Sequence, residues 1–347
     1  MTFAPIIIPT LHRYDKLIAC LESLSLNTWA NQTEMYISLD YPPEKRYIDG
    51  YERIKEYLSS VDTLGFKECK VYYQTHNLGA KANGMFLIEQ VARNHDTYIF
   101  TEDDNVFSPC FLDYINKGLE LFKEDERVCV LCGYAPERNI TVECNNITAN
   151  CYFGTWGYGT WINKYHRIHD KISRENFRKI INNPDICDKL YSERPDLFRY
   201  FFEATMSEPE DVGSIFGGYL YPDGRIAHID HTLSPIMCMN DLCTIYPAFS
   251  LVRNTGVEDG SGDHTYIWSD RLYSKQSISE EKTFDYIFDE KALWDGLAED
   301  KGGDFPPAKR AWLLRRIYLI FGLRVTRLIM KVSYAISKWR GERSQKK

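Results

Sequence analysis

The sequence lacks the glycine-rich motifs with which two large classes of enzyme hold nucleotide phosphates. No G-x-G-x-x-G follows the first predicted strand, which argues against a dinucleotide-dependent dehydrogenase. No G-x-x-x-x-G-K-S/T occurs anywhere in the 347 residues, which argues against a P-loop enzyme. A diphosphate bound by this chain would therefore need another counter-charge, and a metal ion would supply it.

The start of the sequence and the spacing of its cysteines both bear on the expected cellular compartment. No basic region precedes the apolar run Ile6–Ile8, so we expect no secretory signal peptide. Cys129 and Cys132 form a C-x-x-C, but it lies in an apolar run, and no second pair or histidine cluster follows. We therefore expect buried, reduced thiols and a cytoplasmic location.

Charge is distributed unevenly along the chain. The hydrophobic content of 44% predicts a packed core, and the length suits one large or two smaller α/β domains. The net charge is −7, but residues 308–347 carry twelve Lys and Arg against one acid, a balance of +11 that leaves −18 for residues 1–307. This basic end is expected to meet an anionic surface, and no nucleic-acid partner is expected.

Residues 1–105 predict alternating strands and helices. The predicted strands are Pro5–Pro9, Met35–Leu39, Cys69–Gln74 and Tyr98–Phe100. The predicted helices begin near Arg13, at Tyr47 and at Ala82. Such alternation predicts a parallel sheet with helices on both faces.

Each of these strands is followed by polar residues. They are Thr10 and His12, then Asp40, then Asn77 and Lys81, then Glu102–Asp104. Because the carboxyl ends of parallel strands share one edge of the sheet, these groups should converge on one crevice. There Asp40 can accept hydrogen bonds from a base or ribose, and Lys81 with the amides near Gly79 can meet phosphate.

Three adjacent acids, Glu102, Asp103 and Asp104, end the fourth predicted strand. They repel one another unless a cation joins them. Mg²⁺ or Mn²⁺, shared with substrate phosphates, is the natural partner of such oxygen ligands. The alternative is a solvated acidic turn.

Past residue 133 the alternation stops, and aromatic and glycine residues crowd together. Trp156, Tyr158 and Trp161 would form either a sugar-stacking platform or part of the core. Two carboxylates, Asp211 and Asp230, follow in less regular sequence.

The C-terminal segment predicts a basic amphipathic helix from Trp312 to Trp339. Its basic residues on one side are Arg316, Arg324, Arg327, Lys331 and Lys338, and the rest of its surface is largely apolar. Its longest uncharged run, Ile317–Leu323, is far short of the ~20 residues that a membrane span needs. Such a helix suits the plane of an anionic membrane. The alternative is a helix docked on its own domain with its arginines in solvent.

Taken in chain order, the polar residues that follow the first four predicted strands resemble the nucleotide-binding half of GT-A glycosyltransferases. Motifs later in the chain resemble bacterial surface-glycan enzymes similar in layout to the N-acetylglucosaminyltransferase I type. The resemblance covers roughly residues 3–265. The segments that carry it are Ile7–Thr10, Asp40, Asn77–Lys81, Glu102–Asp104, Thr155–Trp161 and Ser250–Thr265.

The resemblance implies a GT-A, Rossmann-like α/β fold: a mixed sheet flanked by helices, with the basic C-terminal helix appended. Residues 1–133 would form the nucleotide-sugar-binding half and residues 134–306 the acceptor-binding, catalytic half. Residues 307–347 would form the membrane-associating tail.

Roles for individual residues follow from the resemblance. Asp104 would bind the Mn²⁺ or Mg²⁺ held by a UDP-sugar, with His264 as a further metal or diphosphate ligand. The residues expected to contact the donor are Pro9, Thr10, Arg13, Asp40, Asn77, Lys81, Glu102 and Asp103. The catalytic base would be Asp230, from its place ahead of Tyr246-Pro247, or Asp211, because the Trp expected beside such an Asp is missing.

The predicted function is that of a metal-dependent, inverting glycosyltransferase of the hexosyltransferase class. It would move a sugar to a hydroxyl of a glycan or lipid-linked acceptor in surface polysaccharide synthesis, at the inner face of the plasma membrane. One alternative is a sugar-1-phosphate nucleotidyltransferase, although Pro9–Asp15 is not the glycine-rich basic loop that such an enzyme needs. The other is a non-catalytic nucleotide-sugar-binding or membrane-scaffolding protein.

Overall fold

The computed structural model describes residues 2–60, 62, 64–135, 145–207, 230–256, 276–299 and 306–344. The chain forms two compact units. The first unit comprises Met1–His166 and Leu242–Glu299, and the second comprises Arg167–Asp241 and Asp300–Lys347.

The first unit is built on an eight-stranded mixed sheet in the order β3-β2-β1-β4-β8-β6-β9-β7. A separate antiparallel pair joins β5 to β10. The strands are β1 (Ile6–Thr10), β2 (Glu34–Leu39), β3 (Glu68–Tyr73), β4 (Thr97–Phe100), β5 (Asn105–Phe107), β6 (Val128–Cys132), β7 (Ile147–Asn150), β8 (Tyr158–Trp161), β9 (Cys243–Pro247) and β10 (Val252–Asn254).

Helices flank this sheet, so the predicted α/β class is confirmed. In chain order the α-helices are α1 (Tyr14–Ser25), α2 (Ile48–Ser60), α3 (Ala80–Val91), α4 (Phe111–Leu121), α5 (Ile162–His169), α6 (Arg174–Ile181), α7 (Pro184–Glu193), α8 (Pro195–Met206), α9 (Asp230–Met239), α10 (Glu290–Glu299) and α11 (Pro306–Ser344).

The first four sheet strands are parallel, as the alternating pattern predicts. β1 lies between β2 and β4, and β2 pairs in turn with β3. Ile6, Ile7 and Ile8 of β1 are fully buried, as expected for a central strand covered on both faces. In α1, Leu17, Leu21 and Leu24 form the buried face that its helical spacing predicts.

β8 makes the sheet mixed because it runs antiparallel to both of its neighbours, β4 and β6. This places the aromatic segment at the centre of the first unit. Tyr158 and Trp161 are buried there, and Tyr158 packs against Phe100 with ring centroids 5.3 Å apart. These two residues therefore belong to the core and are not placed to stack on a sugar.

The second unit is helical and contains α6 to α9 together with α11. Phe177, Phe198, Phe201 and Phe202 are fully buried in it. α11 packs along α8, and Gly322 breaks its helical geometry with φ 75° and ψ −177°. No helix in the described part of the chain is long and apolar enough to cross a bilayer.

Two arginines of α11 point into the second unit. Arg315 Nε donates to the carbonyl oxygen of Ile181, the last residue of α6, at 2.9 Å. Arg327 donates to the carbonyl oxygen of Met206, the last residue of α8, at 2.7 Å. The guanidinium groups thus satisfy helix C-terminal carbonyls, where positive charge is favourable. Arg327 was expected on the exposed basic side, and its burial corrects that prediction.

Candidate functional site

The acidic residues after β4 are buried and not a solvated turn. Asp103 and Asp104 are only 3% and 4% exposed, and Glu102 is half-buried. They occupy the turn between the end of β4 and the start of β5. Because β1 and β4 are parallel neighbours, the end of β1 lies beside this turn.

The segment after β1 supplies the partners of both carboxylates. Thr10 Oγ1 donates to Asp103 Oδ2 at 2.6 Å. Arg13 donates from one guanidinium nitrogen to Asp104 Oδ2 at 2.5 Å and from the other to Asp103 Oδ1. Burial alone would lower the pKa of Arg13, but the two carboxylates outweigh it and raise that pKa, so the guanidinium stays charged.

A second segment, about 150 residues further along the chain, closes over Asp104. Strand β10 pairs with β5, and Asn254 Nδ2 donates to Asp104 Oδ1 at 2.8 Å. The backbone N–H and the hydroxyl of Thr255 donate to the Asp104 carbonyl oxygen at 2.7 and 2.9 Å. A Cβ on Gly256 would lie 2.1 Å from Asp104 Oδ2, so only glycine fits there.

Residues 254–256 were not predicted as site residues, although they lie in a Leu-Val-Arg-Asn-x-Gly segment that forms part of the family resemblance. Strand pairing with β5 brings that segment to the acids. An Asn at the end of a short strand, followed two residues later by a glycine, is the signal that marks them.

Negative charge exceeds positive charge at the acidic pair. One guanidinium faces two carboxylates. Burial raises the pKa of Asp104, and Asp103 raises it further, while Arg13 and Asn254 act in the opposite direction. The acidic pair therefore attracts a cation of higher charge than the guanidinium.

The donor set at the acidic pair fits a hard divalent cation. Each of the four carboxylate oxygens accepts one hydrogen bond, from Thr10, Arg13 or Asn254. An ionised carboxylate oxygen has two lone pairs, so these hydrogen bonds alone do not prevent the oxygens from serving as metal ligands. Among the residues that the structure describes, no group of three or more His, Cys, Asp or Glu side chains is placed to hold a metal. A bound ion would therefore need oxygens from its ligand or from water.

Asp40, at the end of β2, holds the loop that precedes α3. Its Oδ1 accepts hydrogen bonds from the amides of Tyr41 and Leu78 at 2.9 and 2.8 Å. Its Oδ2 accepts from the amide of Gly79 at 2.9 Å and from the side chain of Asn77 at 3.2 Å. These four bonds fill the acceptor positions of a carboxylate. The contact of Asp40 with a base or ribose stays a prediction.

The N-terminus of α3 lies at the same edge of the sheet. A Cβ on Gly84 of α3 would lie 3.1 Å from the Phe100 ring and 4.0 Å from Pro9, so the helix packs tightly on β1 and β4. Lys81 is half-buried in its first turn. This arrangement places a lysine and the positive end of a helix dipole at the carboxyl edge of the parallel strands.

Four predicted residues remain. Two of them, Asp211 and His264, lie outside the described residues. Asp230 begins α9 in the second unit. Trp156 is half-buried against Tyr134, with ring centroids 4.7 Å apart. The roles of these four as base, ligand and sugar platform stay predictions.

No protein-family model and no curated protein matches the sequence. Solved structures similar to the chain include S. aureus TarS 1-349, at 13% identity and a TM-score of 0.33 over 49% of each chain, so that the match spans about half the length of that protein. Mouse xyloside xylosyltransferase 1 matches at 9% identity and a TM-score of 0.31, over 52% of this chain and 74% of that chain. The mannosyltransferase PcManGT from Pyrobaculum calidifontis, in complex with GDP-Man and Mn²⁺, matches at 12% identity and a TM-score of 0.34, over 97% and 75% of the two chains. At these TM-scores the similarities assign neither a family nor an activity, and the contacts of the acidic pair carry the functional proposal.

Proposed function

We propose that the protein is a GT-A type glycosyltransferase that uses a nucleotide-sugar donor, with a UDP-sugar as the expected substrate. The observation that carries this proposal is the convergence of Thr10, Arg13, Asp103 and Asp104 at the carboxyl edge of the parallel strands. Open α/β sheets bind ligands at this edge. The acceptor would be a hydroxyl of a glycan or lipid-linked molecule in surface polysaccharide synthesis.

In this proposal the edge of the sheet holds the diphosphate of the donor. Asp103 and Asp104 would hold Mn²⁺ or Mg²⁺, whose charge stabilises a diphosphate leaving group. Lys81 and the backbone amides at the start of α3 would donate to the phosphate oxygens. Asn254 and Thr10 keep the two carboxylates oriented for this task.

The chemical step needs one further carboxylate. Asp230 or Asp211 would take the proton of the acceptor hydroxyl as its oxygen attacks the anomeric carbon. The new bond joins the acceptor oxygen to that carbon, and the bond between the carbon and the diphosphate oxygen breaks. Attack from the face opposite the leaving group inverts the anomeric configuration.

The direct test is release of nucleoside diphosphate from a panel of sugar nucleotides, with and without Mn²⁺. Asp104→Asn should abolish metal-dependent release while the thermal unfolding temperature shows that the fold is retained. Asp15→Asn is the matched control, since Asp15 is exposed and pairs only with Arg53 among the contacts seen. Full activity of Asp104→Asn would refute the proposal.

Two other outcomes would favour the alternative functions. Pyrophosphate release from a nucleoside triphosphate and a sugar 1-phosphate would favour the nucleotidyltransferase. Binding of a sugar nucleotide without release of nucleoside diphosphate would favour a non-catalytic protein.

We also propose that the protein works at the inner face of the plasma membrane, held there by α11. This helix exposes large apolar side chains, namely Leu313, Leu319, Ile320, Phe321, Val325, Leu328, Ile329, Val332 and Ile336. A helix that exposes a large apolar side while two of its arginines, Arg315 and Arg327, are buried is not explained by docking within the second unit alone.

Basic residues lie along one edge of the apolar side of α11. After the break at Gly322, at about 100° per residue, the large exposed apolar side chains from Val325 to Ile336 fall within a sector of about 100°. The exposed residues Arg324 and Lys331 lie on one side of this sector. Apolar side chains bordered by positive charge suit the interface of an anionic bilayer. A lipid-linked acceptor would be met at the same surface.

A further inference from the structure

Arg13 already bridges the two carboxylates that the proposed function assigns to a cation. Its guanidinium is a planar fork whose two nitrogens meet Asp103 Oδ1 and Asp104 Oδ2. This geometry matches the paired oxygens better than a lysine ammonium would. A divalent cation seeks the same negative charge.

Where the Arg13 guanidinium contacts Asp104, little space remains for a cation beside it. A Cβ on Gly256 would meet Asp104 Oδ2 at 2.1 Å and the Arg13 guanidinium at 3.3 Å, so the backbone of Gly256 closes over this ion pair. Asn254 holds the other oxygen of Asp104. A cation that binds Asp104 therefore has to take over contacts that Arg13 makes.

We propose that Arg13 is an internal counter-ion that competes with the divalent cation for Asp103 and Asp104, so that the cation enters together with the diphosphate of the donor. This inference rests on the proposed function, because it takes the acidic pair as the cation site. It adds that the site is closed by its own arginine when no donor is bound.

The exchange follows from the cost of buried charge. Asp103 and Asp104 are almost fully buried, and two such carboxylates without a cation would repel each other in a medium of low dielectric constant. Arg13 can leave only when a cation replaces it. The Arg13 side chain is 21% exposed, so it reaches the solvent side of the pair. A diphosphate arriving there offers it a second set of oxygens, which a guanidinium binds with two parallel hydrogen bonds.

Mn²⁺ binding to the full chain tests this exchange without any turnover. Each protein is titrated with Mn²⁺, with and without UDP, and electron paramagnetic resonance measures the concentration of unbound Mn²⁺. The proteins compared are the wild type, Arg13→Met, Arg13→Lys and the control Arg53→Met. Arg53 has the same charge and pairs with the exposed Asp15 instead of with Asp103 or Asp104. Without UDP, Arg13→Met should bind Mn²⁺ at least about tenfold more tightly than the wild type, because a competing positive charge is gone. UDP should tighten Mn²⁺ binding strongly in the wild type and much less in Arg13→Met.

The outcomes separate this inference from the proposed function. Equal Mn²⁺ affinity of the wild type and Arg13→Met without UDP would overturn the competition, even if both bind the ion. Failure of every variant to bind Mn²⁺ with UDP present would instead overturn the cation site itself. If circular dichroism shows that Arg13→Met does not fold, Arg13→Lys decides. Arg13→Lys keeps the positive charge but loses the two-nitrogen guanidinium that bridges the carboxylates, so it should compete less well with Mn²⁺. Its affinity for Mn²⁺ should therefore exceed that of the wild type, and an unchanged affinity would refute the inference.

Discussion

The exposed apolar side of α11 predicts that two charge substitutions release the protein from an anionic bilayer. Ile320 and Leu328 lie on either side of the break at Gly322 and are 72% and 62% exposed. Replacing both with Glu removes apolar surface from the proposed membrane contact and adds negative charge to it. Because the side chains are exposed, the fold of the second unit should be retained.

The magnitude follows from the exposed fractions. Full burial of an Ile or Leu side chain is worth about 1.5–3 kcal/mol, so the exposed fractions of these two correspond to about 2–4 kcal/mol together. Each 1.4 kcal/mol is about a tenfold change in an equilibrium constant. The partition coefficient should therefore fall by about 30-fold or more, before any cost of bringing a glutamate to an anionic surface.

The assay is co-sedimentation of the full chain with vesicles of phosphatidylcholine, with and without phosphatidylglycerol. The wild type should bind only the anionic vesicles, and more weakly as salt rises. The matched control is Leu26→Glu with Phe249→Glu, two residues of the first unit that are 76% and 68% exposed. The reasoning is refuted if the wild type ignores anionic vesicles, or if the α11 variant and the control bind alike.

Three further predictions concern stability and the acidic pair. Lys164→Met should lower the free energy of unfolding in urea by about 2–4 kcal/mol, because the buried ammonium donates to three backbone carbonyls. Burial alone would raise the pKa of Asp113, but hydrogen bonds from Lys117, a backbone amide and a tryptophan lower it. Its stabilising contribution is therefore present above about pH 4 and lost as the pH falls further, and Asp113→Asn should flatten that part of a stability profile measured by thermal unfolding at successive pH values. Gly256→Ala should abolish stabilisation by UDP with Mn²⁺ in thermal unfolding, whereas Gly296→Ala, whose Cβ would meet nothing within 4 Å, should not.

The parallel half of the sheet could be predicted because its signals are local. The apolar strands β1 to β4 and the helices between them lie within a few residues of their predicted bounds. The strand order beyond residue 133 depends on pairing between distant segments, which periodicity does not reveal. Because β8 lies between β4 and β6, its residues Tyr158 and Trp161 are buried in the core.

The acids themselves were predictable, but their surroundings were not. An acidic run after a strand marks a ligand edge, yet only the structure shows Arg13 across both carboxylates. The basic side of α11 was predicted from one continuous helical wheel. Gly322 interrupts that wheel, so angles counted before it do not carry over to residues after it. Arg327 is buried next to Thr326, where its guanidinium reaches the carbonyl oxygen of Met206, and a helical wheel does not show this contact.

The pairing of β5 with β10 sets when the acidic pair becomes complete during protein synthesis. Asp104 leaves the ribosome about 150 residues before Asn254, the residue that orients it. Until that later segment docks, the nascent first unit presents Asp104 without the hydrogen bonds from Asn254 and Thr255. Contacts of such long sequence separation form slowly. A shortened protein that ends before β10 would therefore keep the parallel strands and lose an ordered acidic pair.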